Sequence, residues 1–254
     1  MAKMIFDKNT SVGKKTILID MHAHSSGISK CCLMAYKEVI DTALKNGIYG
    51  IVLTNHYQKC YVADGNFDAF AKKYTSEYKL AKEYGNQVGC KVFFGAEITM
   101  EKHNGAHILL YGINETFIES NPTLFDLSQE DLYNLVKSVG GIVIQAHPYR
   151  KANNLLDIKF LDGIEVNCHP LYLNTYFEDL LKIATDNNLL LTCGGDYHND
   201  TYRAKCGVYL PYTLQNSEDL AKYFTNSLSI KLCIHEPNTP SPYNYLYTRK
   251  DSKN

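Results

Sequence analysis

Ile17-Leu18-Ile19-Asp20-Met21-His22-Ala23-His24 runs three aliphatic residues into two imidazoles spaced one residue apart. The apolar run predicts a buried strand, and on a strand residues i and i+2 share one face. His22 and His24 can therefore reach a single metal ion from the end of that strand. Barrels and open α/β sheets build their active sites at such strand ends.

The pattern recurs along the chain. Ile51-Val52-Leu53-Thr54 leads to Asn55-His56, and Val92-Phe93-Phe94-Gly95-Ala96 leads to Glu97. His107 opens Ile108-Leu109-Leu110-Tyr111-Gly112, and Ile142-Val143-Ile144-Gln145-Ala146 runs into His147-Pro148. Leu189-Leu190-Leu191-Thr192-Cys193-Gly194-Gly195 delivers Asp196-Tyr197-His198. Of the nine histidines, six occupy these positions, where chance would scatter them over helix surfaces and loops.

With 254 residues, alternating strand and helix patterns and no Pro/Gly linker, the sequence reads as a single α/β domain over residues 1–254. A net charge of -1 gives no electrostatic footprint for nucleic acid, so a small substrate is the expected partner. The polar stretch Met1 to Lys15 lacks a signal-peptide core, and no run approaches the ~18 apolar residues of a membrane span. No membrane association and a cytoplasmic location are the expectations. The eight cysteines show no C-x-x-C pair and no disulfide framework, which fits a reducing compartment. Cys90, Cys168, Cys193 and Cys233 read as small core residues beside apolar runs.

Strands are expected near 17–20, 51–54, 92–97, 107–112, 142–146, 163–167, 190–194 and 207–210. Helices are expected over Tyr36 to Asn46, over Phe67 to Tyr84 with Gly85 as its stop, after a Ser128 cap, and over Thr175 to Asn187. Strands alternating with helices imply parallel β/α units. The tail from Pro237, rich in Pro, Asn and Tyr, reads as an irregular cover or a loosely packed terminus.

The ordered series IDMHAHS, GIVLTNHY, FFGAEIT, HILLYG, IVIQAHPY, LDGIEVN and GGDYH, over residues 17 to 198, resembles the polymerase and histidinol phosphatase (PHP) family of metal-dependent phosphoesterases. The resemblance implies a distorted (β/α)7 barrel with two or three divalent cations at the C-terminal ends of its strands. Carried over position by position, it implies that His22, His24, Glu97 and Asp196 hold one cation. Glu97 then bridges to a second held by His107 and His147, while His56 and His198 hold a third. Imidazole with carboxylate suits Zn2+, Mn2+ or Fe2+. The implied catalytic residues are Asp196, His198 and Glu97, and the implied reaction is hydrolysis of a small phosphate monoester by cation-activated water.

Two departures bear on the cation count. Many relatives carry Asp where this chain has Asn55, and trinuclear members carry a further His near the position of Lys30, so a dinuclear centre stays open beside a trinuclear one. Lys30 is a candidate for a substrate phosphate. So are Arg150 and Arg203, two of only three arginines, which follow His147 by three and His198 by five residues. Glu165 is a candidate support for a ligating histidine. His103, His169 and His235 read as turn, loop and surface residues, and Tyr57 and Tyr197 as residues flanking the ligands. Alternative readings are an amidohydrolase-like hydrolase of another bond and a nuclease-type module. Glu97 as a ready bridge weighs against the first, and the near-neutral charge against the second.

Overall fold

The apolar runs form strands that end where the sequence places its polar ligands. The computed structural model describes residues 15–150, 153–172, 174–199 and 204–251. In chain order these residues form β1 (Thr16–Ala23), α1 (Tyr36–Lys45), β2 (Gly50–Leu53), β3 (His56–Tyr57), α2 (Phe67–Val88), β4 (Lys91–Phe94), β5 (Ala96–Met100) and β6 (Ala106–Tyr111). There follow α3 (Glu115–Ser120), α4 (Gln129–Ser138), β7 (Ile142–Gln145), β8 (Gly163–Asn167), α5 (Phe177–Asn187) and β9 (Leu190–Gly194). The C-terminal part adds β10 (Gly207–Pro211), α6 (Ser217–Asn226), β11 (Ser229–Ile234) and β12 (Tyr243–Thr248).

The strands make a mixed α/β fold of two six-stranded sheets, ordered β12-β11-β10-β1-β2-β4 and β3-β5-β6-β7-β8-β9. The sheets share one hydrophobic core. They meet at two seams. At the first, β4 passes into β5 through Gly95, whose N–H donates to Leu53 O at 3.2 Å, while the Glu97 N–H donates to Asn55 O at 3.1 Å. At the second, Ala23 bridges Tyr197 in parallel and the Asp196 N–H donates to His22 O at 2.9 Å. Across the interior, the buried Tyr111 hydroxyl donates to Met21 O at 2.8 Å, tying β6 of one sheet to β1 of the other.

The expectation of uniformly parallel units needs correction. β6 runs antiparallel to both β5 and β7, and β10, β11 and β12 are antiparallel additions to β1. The residues between β5 and β6, 101–105, are too few for a crossover, which takes a dozen or more, so the chain can only turn back. The tail is irregular only as far as Pro242, because Tyr243–Thr248 pairs along its whole length with β11 as an edge strand. Helix α2 does not stop at Gly85. That glycine faces β4, where a Cβ would lie 2.6 Å from Cys90 O, and the helix ends at Gly89 with φ +81°. Ser128 caps α4 as expected, accepting from the Asp131 N–H.

Tyr111→Phe removes the hydroxyl that links the two sheets and leaves a buried carbonyl short of a donor. It should lower stability by about 1–3 kcal/mol in urea unfolding while leaving the bound-metal count unchanged.

Candidate metal centre

On β1 the two-residue period sends Asp20, His22 and His24 to one side, and all three are fully buried. His56 on β3 pairs directly with Glu97 on β5, and His107 enters from β6. His147 follows β7, and Asp196 and His198 follow β9. His147 and Asp196 turn inward on left-handed backbone, φ 31° and 51°, a conformation that costs roughly 1–3 kcal/mol at a non-glycine residue.

Every one of the eight expected ligands arrives in this cluster, with Glu97 at its middle. Its Oε2 lies 2.7 Å from His56 Nδ1 and 3.3 Å from Nε2 of both His22 and His24. Its Oε1 lies 2.7 Å from His107 Nδ1 and 3.1 Å from His147 Nε2. Asp196 Oδ1 sits 2.9 Å from His24 Nε2 and 3.5 Å from His198 Nδ1. Three sets have their ligand atoms within 4.8 Å of one another: His22, His24, Glu97 and Asp196; His56, Glu97 and His107; and His24, His56 and His198. Glu97 belongs to the first two.

Outer contacts fix the rings. Glu165 accepts from His22 Nδ1 with both oxygens, at 2.9 and 3.1 Å, and from the His147 N–H at 3.0 Å. That tautomer turns the Nε2 lone pair of His22 toward Glu97 and Asp196. Asp20 Oδ1 accepts from the N–H groups of His22 and Gly195, locking β1 to the Asp196 segment. Asn153 holds its amide 3.3 Å from His147 Nδ1. The same Nδ2 lies 3.5 Å from the backbone carbonyls of Ala146 and His147, which hold the amide in that orientation.

Charge explains the rest. Burial opposes ionisation of Glu97, but His56, His107 and His22 outweigh it and hold the carboxyl well below its usual range. Asp196 is held low in the same way, chiefly by Arg150. Burial likewise opposes protonation of His22 and His56, yet the surrounding carboxylates prevail, and His56 is pushed up to about 10. His24, stripped of water by burial and crowded by His198 and His56, moves the other way.

This donor set fits divalent cations. His22 Nε2, His56 Nδ1 and Glu97 Oε2 are buried, aim inward, and make no hydrogen bond. His56 Nδ1 is near enough to Glu97 Oε2 for one, but the two atoms do not point along a shared bond. Six imidazoles with ring centres 4.4 to 5.8 Å from their neighbours would repel if protonated and leave bare lone pairs if neutral. Cations resolve both problems.

The flanking residues vary in their fit. Arg150 is not a surface arginine: its guanidinium donates to Asp196 Oδ2 and lies over the Tyr172 ring, 4.4 Å from the centroid. Lys30 is exposed at the rim, its ammonium 5.0 Å above the Tyr61 ring. Arg203 lies outside the described residues. Asn55 is a loop organiser, accepting from the Ser25 N–H at 2.7 Å and the Ser29 hydroxyl at 2.9 Å. Tyr57 is a core residue whose hydroxyl donates to Pro122 O. His103 accepts from the Gln129 N–H at the start of α4. His235, expected on the surface, is half-buried and accepts from the Lys205 N–H.

Cys31 lies at the mouth of this cluster with its Sγ 3.1 Å from His198 Nε2, a contact that its place in the sequence does not signal. Burial alone would raise this thiol, but His198 and His56 bring it down to about 6. Beside it opens a cavity of about 170 Å3 lined by Cys31, Leu33, His169, Leu171, Tyr197 and His198, among others.

A buried cluster of imidazoles and carboxylates at the strand ends of a mixed α/β fold defines a metal-dependent hydrolase. The chain belongs to the PHP family: the PHP domain profile matches residues 20–198. Among solved structures, PsfC from Pseudomonas syringae PB-5123 is similar at a TM-score of 0.56 and 15% identity, covering 92% of this chain and 91% of that one. An amidohydrolase from Chromobacterium violaceum, with bound sulfate and no metal, is similar at 0.57 and 16%, covering 80% and 95%. At these identities the likeness shows the fold alone. No curated protein matches the sequence. Among the described residues no helix is long and apolar enough to cross a membrane.

Glu165→Gln should weaken metal binding about 10–100-fold, by equilibrium dialysis, because His22 loses the acceptor that orients it. Gly194→Ala should do at least as much damage, since a Cβ there would lie 2.5 Å from His22 Cβ. The raised groups also set a pH dependence. In the cation-free chain His56 is protonated below about 10, so loading must expel its proton, and that of His22. Metal affinity should therefore tighten as pH rises from 6 to 9, with proton release visible by calorimetry in buffers of different ionisation enthalpy. The cation-free chain has the opposite slope from His56, whose stabilisation is full below its ordinary 6.5 and fades as pH rises toward about 10. An affinity that stays flat over this range would contradict the assignment.

Proposed function

We propose that this protein hydrolyses a small phosphate monoester at a di- or trinuclear metal centre, and that its two sheets form one distorted seven-strand barrel. The barrel reading joins β2 with β3 and β4 with β5, then closes the ring β1, β2/β3, β4/β5, β6, β7, β8, β9 at the Ala23–Tyr197 bridge. The site would lie at one mouth of it. His22, His24, Glu97 and Asp196 would hold one cation, and Glu97, His107 and His147 a second. His56 and His198 would hold a third, with His24 in reach of both.

The observation that carries the reading is Glu97, which offers one oxygen to each of two ligand groups. A carboxylate used in this way suits a cation pair about 3.5–4 Å apart, the spacing that serves in-line displacement at phosphorus. When bound, such cations supply Lewis-acid activation of water and neutralise charge on the phosphoryl oxygens.

The side chains position these parts. Glu165 and Asp20 keep the β1 histidines and the Asp196 segment in register. The Asp196 backbone carbonyl holds His198 Nδ1 at 2.7 Å, so Nε2 faces the open side toward Cys31. Arg150 is held at Asp196 with its guanidinium partly exposed, where a phosphate oxygen can share its N–H groups. Lys30 at the rim and Arg203 are further candidates for the substrate anion. The cavity beside His198 would take the alcohol part, and Leu33 and Leu171 at its edge favour a partly apolar one.

Purified protein should release phosphate from an aryl phosphate with added Mn2+, Zn2+ or Fe2+ and stop when a chelator is present. Asp196→Asn and His147→Ala should each lower that rate at least ~100-fold with unchanged circular dichroism. Metal-dependent hydrolysis of amides or other esters, without phosphate release across a panel of monoesters, would assign the centre to a different bond.

A further inference from the structure

Cys168, Cys193 and Cys206 are far apart in sequence, yet their sulfurs lie within 4.8 Å of one another and all three residues are buried. Cys193 sits on β9 paired with Val166, one position along from the Thr192 and Glu165 pair. Alternation therefore turns it to the face of the sheet opposite Glu165 and the metal centre. Cys168 directly follows β8, and Cys206 directly precedes β10. The cluster lies in a layer of its own, where β8, β9 and the β10–β11 extension meet.

The sulfurs converge. Cys168 and Cys193 are 3.6 Å apart, sulfur to sulfur. Thiolates around a tetrahedral ion with metal–sulfur bonds of about 2.3 Å are separated by about 3.8 Å, and around a trigonal one by about 4 Å. The pair already stands near that spacing. The neighbouring sulfurs of Cys193 and Cys206 hold the Cys168 thiol well below the usual range, the His235 N–H points at the same sulfur from 3.4 Å, and the Cys193 thiol donates to Cys233 O at 3.2 Å. This is the polarity a thiolate needs in the absence of water.

We propose that Cys168, Cys193 and Cys206 form a second metal site, structural and sulfur-only, for a soft thiophilic cation of the Zn2+, Cd2+ or Cu+ kind. Its all-sulfur donor set separates it from the imidazole and carboxylate centre. Its place also gives it a task. Cys193 and Cys206 bracket the segment that carries Asp196 and His198, so an ion on their sulfurs clamps both ends of that segment to β8.

The test uses the full-length reduced protein carrying Cys31→Ser, which removes the thiol at the mouth of the first centre. It is titrated with 113Cd2+ alone, both as purified and after refolding with the ion, so that slow entry to a buried site is covered. Cadmium NMR reports the number of sulfur ligands directly, and thiolate-to-cadmium charge transfer appears in the ultraviolet. The expected result is one sulfur-rich resonance in addition to those in the nitrogen and oxygen range. It should persist in Cys90→Ser and vanish in Cys193→Ser and in Cys206→Ser. Cadmium found only in nitrogen and oxygen surroundings under both loading conditions would overturn the proposal without recourse to the cluster variants. A sulfur-rich resonance that survives the Cys193 and Cys206 substitutions would overturn it as well.

Discussion

A carboxylate sealed from water is among the most expensive groups a fold can carry, because an ionised oxygen stripped of its hydration must find compensation within a few ångströms. Glu97 is such a group, and the fold compensates it with five imidazoles from four strands. His22 and His24 come from β1, His56 from the neighbouring β3, His107 from β6, and His147 from beyond β7. A one-residue slip in any of these strands would turn its ligand to the opposite face. The registers of both sheets are therefore tied to one carboxylate. The histidines in turn depend on a further layer, in which Glu165, Asp20 and Ser29 fix their rings and backbone.

Asp196 is the point where this arrangement is least committed. One oxygen faces His24 and the ligand groups, while the other is taken by Arg150. A guanidinium and a divalent cation make similar electrostatic demands on a carboxylate. In this structure the arginine keeps Asp196 ionised and correctly aimed, and it stays within reach of any anion that enters. The left-handed backbone at Asp196 and at His147 marks the same edge of the site as the place where local conformation yields to ligand placement.

Much of this was legible in the sequence because the signal is local. An apolar run that leads into His, Glu or Asp states both a strand and the end at which it delivers a ligand, and seven of the eight expected ligands carry that mark, while His107 instead opens its run. Glu165 was legible for the same reason, lying in a run with strand character. What was not legible depends on partners distant in the chain. The reversal at β6 follows from a five-residue connection whose meaning appears only when β5 and β6 are known to pair. The edge strand β12, Tyr-Asn-Tyr-Leu-Tyr-Thr, is rich in strand formers, but the Pro- and Asn-rich stretch just before it masks that signal until β11 offers it a partner. Arg150 and Cys31 lie near motifs in sequence, but nothing local tells that one meets Asp196 and the other His198.

The central claim is that Glu97 stands between two cations, one on each oxygen. Crystals grown with Mn2+ and measured for anomalous scattering at the manganese edge test it most directly. Two strong peaks on opposite sides of the Glu97 carboxylate, about 3.5–4 Å apart, are the predicted result. A third near His56 and His198 would make the centre trinuclear. A single peak bound by only one Glu97 oxygen, or none within the histidine cluster, would contradict the account.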